Sequence, residues 1–345
     1  MSTQNGWRAG GLRRFRSPYA PASMAVGCFV SSGRSLDAAV QRVRLAEELG
    51  YEACYVTHIA GRESLTLLTI YASATERLGI GTGVVPIYTR TPATMAQTAA
   101  TINEFSHGRL RLGLGVSHRP VVEGWHGQSI DSPAGEMREY VAIVRAILRG
   151  EDPPAGTKWS TGFRLAGVDL APDMPIYIAA LSPLMLRLAG EIADGVLLWL
   201  CVPDYIRTVV VPEVTKGREK AGKGLEGFDI VPAVPAAATD DVRAAHEVLR
   251  GDLIPYFALP FYRAMLERSG FGTELAEYDG AAGDPDAMKR AMSNEFLHAL
   301  AAVGSPSDVR DGVRGYLEAG ARSPCVSPIA RTDFDATLRA AAPNA

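Results

Sequence analysis

The sequence predicts an α/β protein whose strands close into a (β/α)8 TIM barrel, with a helical insertion late in the chain and a flexible N-terminal arm. Three observations carry this expectation. Short apolar runs alternate with segments of helical spacing, and the alternation recurs eight times after residue 24. Four of those runs, the first, third, fifth and sixth, are apolar at consecutive positions rather than at every second one, as strands buried on both faces require. The length, 345 residues with 47% hydrophobic, suits one barrel carrying insertions.

The elements follow in order. Ala25 to Val30 is a strand, and Leu36, Ala39, Val40, Val43, Ala46 and Leu49 recur at helical spacing until Gly50 stops them. Ala53 to Thr57 is a strand, Leu65 to Thr75 a helix, and Leu78 to Val85 a glycine-rich strand. Ala93 to Phe105 is a helix with Pro92 at its start, where proline's fixed φ is tolerated, and Arg109 to Val116 is the fourth strand. Arg119 to Ser132 reads as a long loop over the mouth, Glu136 to Leu148 as a strong helix, and 153–171 as an inserted loop or small hairpin. Pro175 to Ala179, Gly195 to Trp199 and Phe228 to Val234 are strands five to seven. Their helices span Pro183 to Ala193, Pro203 to Ala221 and, from its start, Asp240 to Arg250. Residues 252–302 are helical with no strand. Ser307 to Ala319 is the last helix, and Ser323 to Ile329 is an eighth strand weakened by Pro324 and Pro328. The chain divides into an arm, 1–24, and one barrel domain, 25–345.

Composition excludes several classes. A formal net charge of -3 without a basic stripe argues against nucleic acid as a partner. No apolar run has the length of a bilayer span. The arm carries Arg8, Arg13, Arg14 and Arg16 but no apolar stretch of the signal-peptide kind, so export is not expected. Cys28, Cys54, Cys201 and Cys325 are far apart and lack C-x-x-C spacing. Reduced thiols, a cytoplasmic location and no metal site follow.

In such barrels chemistry sits at the C-terminal ends of the strands. Gly81 and Gly83 straddle Thr82 at the third strand's end, a pattern of a bulge or of close backbone approach to a ligand. The fourth strand delivers Ser117, His118, Glu123, Trp125 and His126 to the mouth. The fifth runs through Ala179, Ala180, Leu181 and Ser182 into Pro183. The free N–H groups of that helix start suit a phosphate, although an ordinary Ser-Pro cap has the same sequence.

The stretch ASATERLGIGTGVVPIYTRTPATMAQTAATINEFSHGRLRLGLGVSHRPVVEGWHG resembles the central signature of the luciferase-like oxidoreductases, and of their F420-dependent group most of all. MPIYIAALSP, LAGEIADG and IPYFALPFYRAMLERSGF extend the likeness over Ala25 to Ile329. The resemblance implies coenzyme F420 as cofactor, with FMN the alternative, and a non-proline cis peptide at Gly83-Val84 behind the deazaflavin ring. It implies Thr82, Gly83, Val84, Val116, Ser117 and His118 beside the ring and ribityl chain, with the amides of Ala179 to Ser182 on the phosphate. It also implies dimers. Where the F420 group carries an Asp-His pair after its second strand, this chain has Thr57-His58-Ile59, so His58 stands in the aspartate's place.

The function expected is hydride transfer between the deazaflavin C5 and a small organic substrate, as in reduction of a C=C or C=N bond. The proton would come from His58, His118 or water. An apolar pocket for that substrate would be lined by Phe29, Tyr88, Trp125, Trp199, Tyr256, Phe257, Phe261 and Tyr262. No lysine falls at a strand end, which argues against a sugar phosphate and against a Schiff-base lyase, though Arg90 and Arg119 could partner an anion. The competing readings are an FMN-dependent monooxygenase and a barrel that binds a cofactor without turnover.

Overall fold

A computed structural model describes residues 25–31, 33 and 35–343; the expected arm, 1–24, lies outside them. Ten strands appear among the described residues: β1 (Gly27–Phe29), β2 (Ala53–Val56), β3 (Gly79–Thr82), β4 (Val85–Pro86), β5 (Leu110–Gly115), β6 (Ile176–Ala179), β7 (Gly195–Leu198), β8 (Asp229–Ala238), β9 (Ala302–Gly304) and β10 (Cys325–Pro328). All pair in parallel, in the order β10-β1-β2-β3-β5-β6-β7-β8, and β8 pairs again with β10 to close the ring. With β4 continuing β3, the barrel has eight staves. The weak eighth strand is real, because proline lacks only a donor: the carbonyl of Pro324 accepts from the Gly27 amide at 3.0 Å. The strand β9, which the sequence reading omitted, adds to the upper end of β8 through Ala236↔Ala302. Three apolar residues after a run of helices give too little pattern to recognise.

The third stave is broken by a bulge. Gly81 pairs with Arg111 and Val85 with Leu114, so four residue steps on one strand face three on its neighbour. The hydroxyl of Thr82 fills the gap, donating to the Gly113 carbonyl (2.7 Å) and accepting from the Gly113 amide (2.8 Å). On the other edge the Gly83 amide still reaches the Val56 carbonyl at 2.8 Å. The Gly83–Val84 bond is cis. Close approach demands glycine opposite: a Cβ on Gly113 would lie 2.0 Å from the Thr82 carbonyl oxygen.

Helix starts repeat one sequence device, a capping Ser or Thr followed by proline. Thr91, Ser182 and Ser305 each accept an amide of the first turn ahead of Pro92, Pro183 and Pro306. The helices Pro183–Ile192 and Val211–Lys220 cross at two glycines. A Cβ on Gly217 would stand 2.0 Å from the Arg187 carbonyl oxygen, and one on Gly190 2.3 Å from that of Val214. Gly217→Ala should therefore force the pair apart and cost about 1–3 kcal/mol, read as a lowered urea midpoint. A midpoint equal to the wild type would contradict this packing.

Two sequence expectations for the helices need correction. Residues 119–132 are not all loop: Arg119–His126 is a helix, with Pro120 in its first turn and Gly127 ending it at φ +62°. The sixth helix is interrupted by a π-turn, Ile206–Val210, just before Pro212, which cannot supply the N–H that an α-helical register needs. The seventh runs to Phe257 through Pro255. Residues 153–171 hold no regular element. Glu139 ties them down by accepting the amides of Thr157 (2.8 Å) and Lys158 (2.9 Å).

Side chains fill the barrel, so only its upper end can receive a ligand. At the lower end Arg111, 1% exposed, reaches Glu52 (2.5 Å) and the Tyr55 hydroxyl (3.4 Å), while Tyr177 donates to Asp229 (3.0 Å). Above them pack Tyr55, Tyr177, Leu197, Val231 and Cys325, topped by Phe29 and Val84. All four cysteines are buried free thiols. No described helix is long and apolar enough to cross a membrane, and no cluster of metal-ligating side chains occurs among the described residues.

Candidate active site

The bulge sets the floor of the site. Gly83 lies against Phe29: a Cβ there would be 2.7 Å from its ring. Val84 turns into the barrel interior with Tyr55 and Leu197, and its Cγ2 lies 2.5 Å from where a Cβ on Gly115 would stand. The floor is thus a strip of backbone, closely backed from below and free of side chains at Gly83. The Thr82 hydroxyl is fully buried and committed to Gly113, so its part is to hold the bulge rather than to reach a ligand from the mouth.

Next to the floor, β5 is followed by Val116 and Ser117, the latter at φ +56°, which lead to His118 at the start of the helix Arg119–His126. The His118 ring packs on Tyr262 (centroids 5.7 Å apart), Tyr262 on Tyr256 (4.9 Å) and Tyr256 on Trp199 (5.9 Å). This chain of four rings joins the end of β5 to the end of β7 through the insertion. Burial holds His118 below the usual histidine range, so its ring is neutral at pH 7.

His58 stands two residues beyond β2. Its Nδ1 lies 2.9 Å from Ser64 Oγ and 3.4 Å from Glu63 Oε1, and Arg90 Nη2 is 3.1 Å from the same carboxylate oxygen. Glu63 is the cap of the helix Ser64–Ala74, accepting the amides of Leu65 and Thr66. The sequence reading missed Glu63 and Ser64, and weighed Arg90 only as the partner of an anionic substrate. A glutamate ahead of an apolar run is a recognisable cap, but Arg90 comes from a different strand-helix loop and no local signal marks it.

Strand β6 runs into the helix Pro183–Ile192. The Ala180 amide donates to the Leu197 carbonyl at 3.3 Å, and the Leu181 carbonyl accepts from the Tyr205 hydroxyl at 2.8 Å. Ser182 caps the helix by accepting from the Met185 amide. The amides of Leu181, Ser182 and Leu184 have no acceptor among the described residues, so three donors are left at a positive helix end. Ser182→Ala should cost about 1 kcal/mol of stability by removing the cap. Thermal unfolding checks this, and an unchanged midpoint would mean that the cap carries no weight.

Four aromatic residues expected in the pocket stand elsewhere. Tyr88 is turned away, its hydroxyl bonded to the buried Glu136, whose other oxygen meets Lys158 Nζ at 2.9 Å. Phe257 is fully buried in the insertion's own core, against Tyr278 (5.5 Å) and Phe296 (5.6 Å). Trp125 is 57% exposed, although Val122 of the same helix is buried. Phe261 is also exposed. The cations considered for an anionic substrate are committed: Arg90 to Glu63, and Arg119 to Glu123 and the Ile130 carbonyl.

Comparison with known proteins gives the family and the fold. Residues 21–323 match the family model described as luciferase-like monooxygenase. A 5,10-methylenetetrahydromethanopterin reductase of Methanolobus tindarius is 31% identical over 286 residues, covering 80% of this chain and 86% of the relative. A putative coenzyme F420-dependent oxidoreductase of Mycobacterium tuberculosis is 30% identical over 304 residues, covering 81% and 87%. The solved coenzyme F420-dependent tetrahydromethanopterin reductase of Methanopyrus kandleri superposes with a TM-score of 0.76 at 23% identity, covering 92% of this chain and 97% of that one.

Proposed function

The chain belongs to the luciferase-like monooxygenase family, and from that premise we propose a coenzyme F420-dependent oxidoreductase acting on a small organic substrate. One observation carries the reading: a side-chain-free backbone strip at Gly83 faces the mouth near a helix start with three spare amides. A flat ring system attached to a phosphate needs those two surfaces together. The fit is chemical as well as steric. The floor is apolar, and no carboxylate precedes Pro183 in that loop.

Bound there, a deazaflavin supplies a carbon that gives or takes hydride, and the protein supplies position and dryness. The amides of Leu181, Ser182 and Leu184 would hold the phosphate. Gly83, Val84, Val116 and Ser117 would back the ring. His118, Tyr262, Tyr256 and Trp199 keep water out and face the substrate, and His58 or His118 exchanges the proton. With Arg90, Arg119 and Lys158 all paired, the site favours an uncharged substrate, and reduction of a C=C or C=N bond fits best. Four buried thiols agree with a cytoplasmic enzyme.

The test is to mix the protein with reduced F420 and a panel of uncharged enones and imines, following the return of the oxidised deazaflavin's absorbance. Turnover with one of them, without oxygen uptake, is the expected result. Substrate-dependent oxygen uptake with reduced FMN instead would overturn the reading in favour of an FMN monooxygenase.

A further inference from the structure

We infer that Glu63 is a positioning residue that holds His58 with its proton on Nδ1 and its Nε2 free, so that His58 rather than His118 exchanges the proton. This rests on the oxidoreductase reading above. The argument starts from what faces each ring. A carboxylate oxygen 3.4 Å from Nδ1 would repel a nitrogen lone pair and attracts an N–H, whereas Ser64 Oγ at 2.9 Å can serve either tautomer and so does not oppose this one. The Nε2 atom has no partner among the described residues.

The carboxylate is itself fixed. Burial opposes its charge, but the Thr66 amide and hydroxyl, the Leu65 amide and Arg90 hold Glu63 below the usual carboxylate range. It is therefore ionised wherever His58 titrates. The charged or titratable groups facing His58 are Glu63 from its own loop, Arg90 from the loop after β4, and His126 from the helix after β5. Burial, Arg90 and His126 push the ring below the ordinary histidine value while Glu63 pulls it back up. A neutral ring with a free Nε2 can accept a proton, and the imidazolium so formed is met by a negative charge already in place. His118 has no such partner. It caps its helix without a side-chain bond, packs on Tyr262, and only burial acts on its titration.

The experiment reads the ring itself, in the full-length protein without cofactor. Long-range 1H–15N spectra of the histidine rings, assigned with His58→Gln, give tautomer and titration midpoint. The expected wild-type result is the Nδ1–H tautomer at neutral pH. Glu63→Gln should lower the His58 midpoint by roughly one pH unit and mix the tautomers. Glu63→Asp, which keeps the charge and a capping oxygen, should restore part of the shift and guards against a simple loss of the helix cap. An Nε2–H tautomer in the wild type, or a midpoint that Glu63→Gln leaves in place, would overturn the inference. Cofactor titration of the same samples separates the two claims: failure of the wild type to bind F420 would sink the oxidoreductase reading while the ring spectra still decide the tautomer.

Discussion

His58→Ala is expected to lower kcat by about 10²- to 10⁴-fold, the usual worth of a positioned general acid or base. Cofactor affinity should stay within about threefold of the wild type, because the floor at Gly83 and the amides at Leu181 and Ser182 do not involve this ring. His118→Ala should behave differently. Its ring is one link of the aromatic chain with Tyr262, so its removal opens the mouth and raises KM more than it lowers kcat. The two profiles reversed would hand the proton to His118 and remove the role argued for Glu63. Single-turnover kinetics with pre-bound reduced cofactor separate chemistry from binding for both variants.

Thr82→Val is expected to cost about 2–4 kcal/mol in urea unfolding, although the side chains match in volume. Valine leaves both the amide and the carbonyl of Gly113 buried without the partner they now have. Thr82→Ser keeps the hydroxyl and should lie within about 1 kcal/mol of the wild type. Loss of the bulge should also weaken the cofactor, because the bulge is what presents Gly83 to the mouth. A valine variant as stable as the wild type would mean that Thr82 is not what closes the gap between β3 and β5.

The barrel was legible because its signals are local. Runs such as PIYIA and GVLLW are apolar at consecutive positions, and Thr91-Pro92, Ser182-Pro183 and Ser305-Pro306 mark helix starts. The bulge was only partly legible, since paired glycines around Thr82 suit a bulge, a close approach to a ligand and an ordinary barrel strand alike. Orientation was not legible. Nothing in the sequence tells that Tyr88 turns to Glu136, that Phe257 sinks into the insertion, or that Trp125 faces outward; each depends on which side of its element meets a distant one. The partners of His58 divide the same way. Glu63 and Ser64 lie five and six residues on and could have been found as a helix start, whereas Arg90 reaches Glu63 only because the barrel brings the ends of neighbouring staves together.

The central claim is that this mouth is built for a deazaflavin. Titrating the purified protein with oxidised F420 and, separately, with FMN tests it most directly. Trp199 lies in the aromatic chain over the mouth, so protein fluorescence reports occupancy. Saturable quenching by F420 is expected at concentrations where FMN has little effect. Tighter binding of FMN, or binding of neither, would contradict it.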